Sequence, residues 1–276
     1  MKDNTKRIIQ FASSAILLLI AYIPMLDWMI DRWFAKESYY GHGMLIPVVA
    51  LYFVWSRKEL LKKAKMSSSM SGVIIIAASL LIHIICAALK VYFISGFSFV
   101  FALYGLVLFF FGKEIAKCLI FPVFFLLAMI PLPLVLIGNL VVRLKLLAMD
   151  GSVFLLNRIG FQAIKDGGYI RMPNSFILVA DPCSGLRSLI SLLTLGLVFA
   201  FTMKASYIKK TTLLLSSVPI AIFSNVLRIT SVSIVNDLYG EKAANGFFHG
   251  FAGFMVFVVA FGLLFWVGKG LENKHE

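Results

Sequence analysis

The sequence predicts an all-α polytopic membrane protein of about eight transmembrane helices. A small extracytoplasmic helix and β-hairpin cap is expected between helices five and six. Three observations predict this. Hydrophobic residues fill 61% of the 276 positions against 14% charged, and mean hydropathy is +0.94, too apolar for a soluble domain. Apolar runs approaching the ~20 residues that cross a ~30 Å hydrocarbon core as helices recur along the chain. They fall at roughly 8–26, 43–56, 72–89, 97–112, 118–137, 184–203, 211–234 and 249–268. Finally, basic residues cluster in alternate connecting segments.

That third observation sets the orientation. With the N-terminus inside, the inner segments carry 15 basic residues against five acidic ones, most densely in Arg57, Lys58, Lys62, Lys63 and Lys65. The outer segments carry nine basic and eight acidic residues, and Arg187 and Arg228 fall within spans. An inner excess of positive charge is what membrane insertion favours. Both termini are therefore expected in the cytoplasm of a multi-pass protein of the cell membrane. The net charge of +13 reflects this topology. No basic stripe with interleaved aromatics marks a nucleic-acid partner.

In chain order, span one lacks a small-residue cleavage site after Tyr22-Ile23-Pro24-Met25, unlike a signal peptide. An outer loop from Asp27 to His42 follows, with the interfacial aromatics Trp28, Trp33, Tyr39 and Tyr40, and ends in Gly41-His42-Gly43. Span two is short and stops at Trp55-Ser56-Arg57. Spans three and four form a tight pair. Span five starts with Phe121-Pro122 and ends with Ile130-Pro131-Leu132-Pro133. Residues 138–182 form an extracytoplasmic insertion within a single domain over 1–276. Its first part carries Arg143, Lys145, Asp150 and Arg158 among apolar positions, which suits a helix lying at the interface. Its second part has three β-like runs, Phe161 to Ile164, Tyr169 to Met172 and Phe176 to Val179. They are separated by the turn sequences Asp166-Gly167-Gly168 and Pro173-Asn174-Ser175.

The insertion delivers the chain to Asp181-Pro182-Cys183-Ser184-Gly185-Leu186-Arg187, a polar block opening into an apolar run. Asp181 as N-cap and Pro182 in the first turn would put Cys183 at a helix N-terminus, where the dipole favours a thiolate. Arg187, one turn on, adds positive charge. Cys118 falls at the cytoplasmic edge of span five. Cys86 lies near the outer end of span three, so a Cys86–Cys183 disulfide is the purely structural alternative. Span seven places Ser217, Ser224, Arg228 and Ser231 on one helical face, with Asn225 beside them. An intramembrane arginine is a functional hypothesis by default, the alternative being one that snorkels to lipid phosphate. His249 starts span eight at the outer side, where the helix dipole disfavours imidazolium.

Cys183, Arg228 and His249 come from three consecutive spans, and alternating topology brings all three to the outer layer. A thiol, an imidazole and a guanidinium supply a nucleophile, a proton shuttle and an oxyanion binder, the equipment for acyl transfer. No metal or other cofactor is expected. One cysteine with one or two histidines falls short of three ligands, and the arginine repels a cation.

Three motifs, Cys183-Ser184-Gly185-Leu186-Arg187-Ser188, Asn225-Val226-Leu227-Arg228-Ile229 and His249-Gly250, resemble the exosortase/archaeosortase family of integral-membrane cysteine transpeptidases. Tyr40-Gly41-His42-Gly43 and the prolines of span five support the resemblance, which covers nearly the whole chain. It implies a catalytic trio of Cys183, Arg228 and His249. Its expected partners are exported proteins bearing a C-terminal signal of short motif, membrane helix and basic tail, together with membrane lipid. Cleavage would pass through a thioester, with possible transfer to an envelope acceptor. Histidine at position 249 looks more like the bacterial branch, and the chain carries no appended soluble domain. Ser184, Arg187, Asn225 and His42 are the candidates to order the pocket or touch substrate. The rival readings are a transporter with its site at Arg228 and a non-catalytic envelope-assembly scaffold.

Overall fold

A computed structural model describes residues 2–36, 38–179, 184–244 and 248–272, with the backbone alone for residues 2–4 and 249. The chain divides into two compact units, Met1–Pro133 and Leu134–Glu276.

The first unit opens with α1 (Lys2–Ala21) and α2 (Ile23–Phe34), which meet at Tyr22 with a bend of 68°. The bend has a local cause. The fully buried ring of Tyr22 stacks on His83 of α5 (Ser71–Ala88), with centroids 3.7 Å apart, and its hydroxyl lies 3.0 Å from Ser98 Oγ. His83 Nε2 lies 3.0 Å from the Ala21 carbonyl oxygen, a group released by the break in the helix, and Nδ1 lies 2.7 Å from Ser95 Oγ. A carbonyl only accepts, so Nε2 carries the proton and Nδ1 accepts from Ser95. Pro24 sits in the first turn of α2, where its missing N–H costs nothing. Helix therefore replaces the expected outer loop as far as Phe34, and the irregular stretch is correspondingly shorter.

A 3-10 turn, Gly41–Leu45, leads into α3 (Ile46–Ser56), and the short α4 (Lys58–Lys63) follows. The next helix, α6 (Tyr92–Phe125), is continuous in hydrogen bonding but reverses at Gly112, whose φ of 83° only glycine adopts readily. Ring contacts establish the reversal. Phe101 and Phe124 are 5.2 Å apart, although a straight helix would separate them by about 34 Å. The two arms, 92–111 and 113–125, correspond to the spans expected as four and five. Span five ends earlier than its predicted limit at 137. A 3-10 turn, Leu126–Met129, and the extended Ile130-Pro131-Leu132-Pro133 intervene, because proline lacks the helical donor and restricts the residue before it. Cys86 is a buried thiol, and Cys183, the other half of the disulfide alternative, lies outside the described residues.

The second unit begins with α7 (Leu134–Arg158), which carries its charges mid-helix and is not among the helices apolar enough to cross a membrane. Three short strands follow, β1 (Ile164–Asp166), β2 (Tyr169–Arg171) and β3 (Phe176–Leu178), in an antiparallel sheet of order β1-β2-β3. The turns fall where the sequence puts them, Gly167-Gly168 between the first pair and Pro173-Asn174-Ser175 between the second. The last helices are α8 (Leu186–Thr202), α9 (Tyr207–Tyr239), the short α10 (Glu241–Ala243) and α11 (His249–Leu271), with α9 packed on α7, α8 and α11.

Four described helices are long and apolar enough to cross a membrane, five if the bent α1–α2 pair is one span. Gly41–Ser56 and Leu186–Thr202 are shorter apolar helices. Large apolar side chains point outward along them, including Ile74, Phe254 and Trp266. The protein is thus a helical multi-pass membrane protein with a small sheet, arranged to meet lipid.

Candidate active site

The site is organised by α9. Several of its buried positions are polar where lipid-embedded helices are normally apolar: Ser217, Ser224, Asn225, Ser233 and Asn236 are all at most 4% exposed. The hydroxyls of Ser217, Ser224 and Ser233 have no hydrogen-bond partner among the described residues. Buried polar atoms are usually satisfied, so two orphans on one face, Ser217 and Ser224, with a third, Ser233, across the helix, set α9 apart from a helix built only for packing.

Arg228, half-buried, lies one turn beyond Ser224 on the same helix. Its guanidinium crosses α11 at Gly253: a β-carbon built on that glycine would sit 3.4 Å from both Cζ and Nη2. Gly253 is one turn after His249, so residues 249 and 253 share a face of α11. The sequence-predicted Arg228 and His249 positions are therefore brought to one end of the α9–α11 pair, where His249 heads its helix as expected. The His249 side chain lies outside the described residues.

Cys183, with residues 180–182, also lies outside the described residues. The rest of its motif is placed. Ser184 is 1% exposed. Gly185 adopts φ 83°, and a β-carbon there would come within 2.8 Å of Asn225 Nδ2. The cysteine motif thus enters its helix through a glycine seated on Asn225, three residues before Arg228. This corrects the expected helix start. α8 begins at Leu186 behind a left-handed Gly185, which stands at its N-cap, and the Asp181 and Cys183 of the expected first turn lie outside the described residues. Arg187 is exposed on the first turn of α8.

The small sheet completes this end of the unit. Ile170 and Met172 bury one face against Ala148 and Met149 of α7 and Val226 and Ile229 of α9. Asn157 clamps Ala163 through both its amide groups, at 2.9 and 3.0 Å, and Asp237 near the end of α9 accepts from Ser175 Oγ and the Asn174 N–H, each at 3.1 Å. Ser152 ties α7 to α9 through the Val226 carbonyl at 3.1 Å.

His42 belongs to the first unit. It stacks at 6.2 Å on Tyr40, in the turn where Trp33 donates to the Met129 carbonyl at 2.8 Å. Burial holds its imidazole below the usual range and pushes the Tyr40 phenol up. Sequence reasoning missed Gly253 and the α9 residues Ser233 and Asn236. A glycine one turn after His249 was the available signal for the first. Among the described residues no group of histidine, cysteine and acidic side chains could hold a metal ion.

Compared with known proteins, the chain matches the family model for transmembrane exosortase (EpsH) over residues 33–266. No curated protein and no solved structure matches it.

Proposed function

We propose, because the chain belongs to the transmembrane exosortase family, that it is a cysteine transpeptidase acting on exported proteins at the outer face of the cell membrane. Membership makes it a membrane-embedded enzyme of protein sorting. In the proposed reaction the Cys183 thiolate attacks the scissile carbonyl of a C-terminal sorting signal, made of a short motif, a membrane helix and a basic tail. Arg228 stabilises the oxyanion of the tetrahedral intermediate, and His249 protonates the departing amine as the thioester forms. Water, a lipid or an envelope amine then attacks the thioester and regenerates the thiol. The chain crosses the membrane eight times with both termini inside. Arginine of the first unit fits that orientation: Arg57 Nη1 donates to the Cys118 carbonyl at 2.6 Å, joining two basic segments at one end.

The observation that carries this reading is the placement of Arg228 against Gly253, on the face of α11 headed by His249, while Asn225 on the same helix seats the turn just after Cys183. A guanidinium held against α11 one turn after His249 is positioned to meet developing negative charge. The test is to express Cys183→Ala and Cys183→Ser with an exported substrate bearing such a tail and follow its size by immunoblot. Processing should stop in both. Arg228→Ala should give a stable protein that does not process. Unchanged processing in the cysteine variants removes the enzyme reading.

A further inference from the structure

A cavity of about 440 Å³ lies in the first unit. Arg7, Gln10 and Ser14 line it from one stripe of α1, Ser68 from the loop after α4, and Phe109 and Phe110 from the last turn before α6 reverses. The cavity is held open by fixed contacts. Phe11 of α1 packs on Phe110 and Phe111, with centroids 6.1 and 4.9 Å apart. The Ser67 N–H donates to the Phe111 carbonyl at 3.2 Å, and a side chain at Gly112 would collide with Ser67. The loop is thereby fastened to the reversal, and Ser68 stands at the rim.

Three features identify the ligand. The half-buried Arg7 has no hydrogen bond or ion pair among the described residues, although it faces the cavity. The surrounding field is positive. Of the acids whose side chains are described at this end, Glu59 pairs with Lys62 at 3.0 Å and Glu114 accepts from the Lys65 N–H at 2.8 Å, whereas Arg57, Lys58, Lys63 and Lys65 add charge; the Asp3 side chain lies outside the described residues. The lining grades from guanidinium through amide and hydroxyls to aromatic rings over the two turns of α1 from Arg7 to Ser14, the order in which a phospholipid presents phosphate, glycerol esters and acyl chain. A basic peptide tail would be repelled here.

We propose that this cavity binds the headgroup of an anionic phospholipid, with Arg7 on the phosphate, the hydroxyls and Gln10 on the glycerol region, and the acyl chain against Phe109 and Phe110. The site is independent of the transpeptidase reading.

The test uses the full-length protein in neutral detergent. Lipids with identical acyl chains, phosphatidylglycerol and phosphatidylcholine, are added, and bound lipid is counted by native mass spectrometry. The wild type should retain phosphatidylglycerol roughly fivefold better than phosphatidylcholine, the effect of about one interfacial cation. Arg7→Gln should abolish that preference, and Ser14→Leu, which fills the cavity and leaves the charge, should abolish it too. Lys63→Gln, which removes one exposed charge from the same end, should change retention by less than about twofold. Equal retention of the two lipids by the wild type overturns the proposal, and so does an equal loss in Arg7→Gln and Lys63→Gln, the mark of a diffuse field. Inorganic phosphate at the same concentration should not displace phosphatidylglycerol; displacement would show a site for a soluble anion and also overturn the proposal.

Discussion

Gly185 and Asn225 meet so closely that a β-carbon on the glycine would lie 2.8 Å from the amide nitrogen and 3.0 Å from the Asn225 β-carbon. Gly185 also holds φ 83°. Gly185→Ala should therefore lower stability by about 1–2 kcal/mol from backbone strain alone and more from the collision. Adding Asn225→Ala should recover the collision part and leave the strain. Thermal unfolding of the two single variants and the double variant in detergent measures the coupling, and strict additivity would contradict the contact.

Gly253 offers a graded test of Arg228. A methyl group 3.4 Å from the guanidinium is an ordinary contact, so Gly253→Ala should process substrate nearly as well as wild type. Gly253→Leu should push the guanidinium aside and reduce processing roughly 10- to 100-fold without unfolding the protein. Initial cleavage rates and the melting temperature of each variant separate the two effects.

His83 joins α5 to the break between α1 and α2. His83→Leu leaves the Ala21 carbonyl and the Ser95 hydroxyl without their partner and removes the stacked ring under Tyr22. The expected cost is about 1–2 kcal/mol. Tyr22→Phe, which keeps the stack and loses only the hydroxyl, should cost less. Chemical unfolding in mixed micelles reads both values.

Acidification should weaken the first unit through His42. Burial depresses its imidazole, so the unfolded chain takes up a proton at higher pH than the folded one. Stability from this group is complete above the ordinary value of about 6.5 and declines as pH falls below it. Melting temperature measured from pH 7.5 to 5 should fall less steeply in His42→Gln than in wild type.

Much of this was legible in the sequence, for identifiable reasons. The sheet announced itself because Gly167-Gly168 and Pro173-Asn174-Ser175 interrupt β-branched and aromatic runs, and those interruptions became its turns. The spacing of His249 and Gly253 by one helical turn is readable in the sequence, whereas the approach of Arg228 to Gly253 is a contact between helices. The breaks inside apolar sequence were less visible. Tyr22 interrupts a helix in a run without charge, and only its distant partners His83 and Ser98 make the bend. At α8 the helix start at Leu186 depends on a tertiary constraint that local sequence does not carry, the seating of Gly185 on Asn225. Gly253 offered only its spacing of one turn after His249, because what it does is leave room for an arginine from another helix.

The reversal at Gly112 bears on how the chain is made. Both arms of α6 and the Ser67 clasp lie close in sequence, so this paired element is complete while later segments are still on the ribosome. It can pass sideways from the translocation channel into the bilayer as one hairpin, with the lysines at positions 113 and 117 kept at its tip. A substitution at this glycine would thus be felt first during biogenesis, as a drop in the amount of protein inserted, before any purified sample could be assayed.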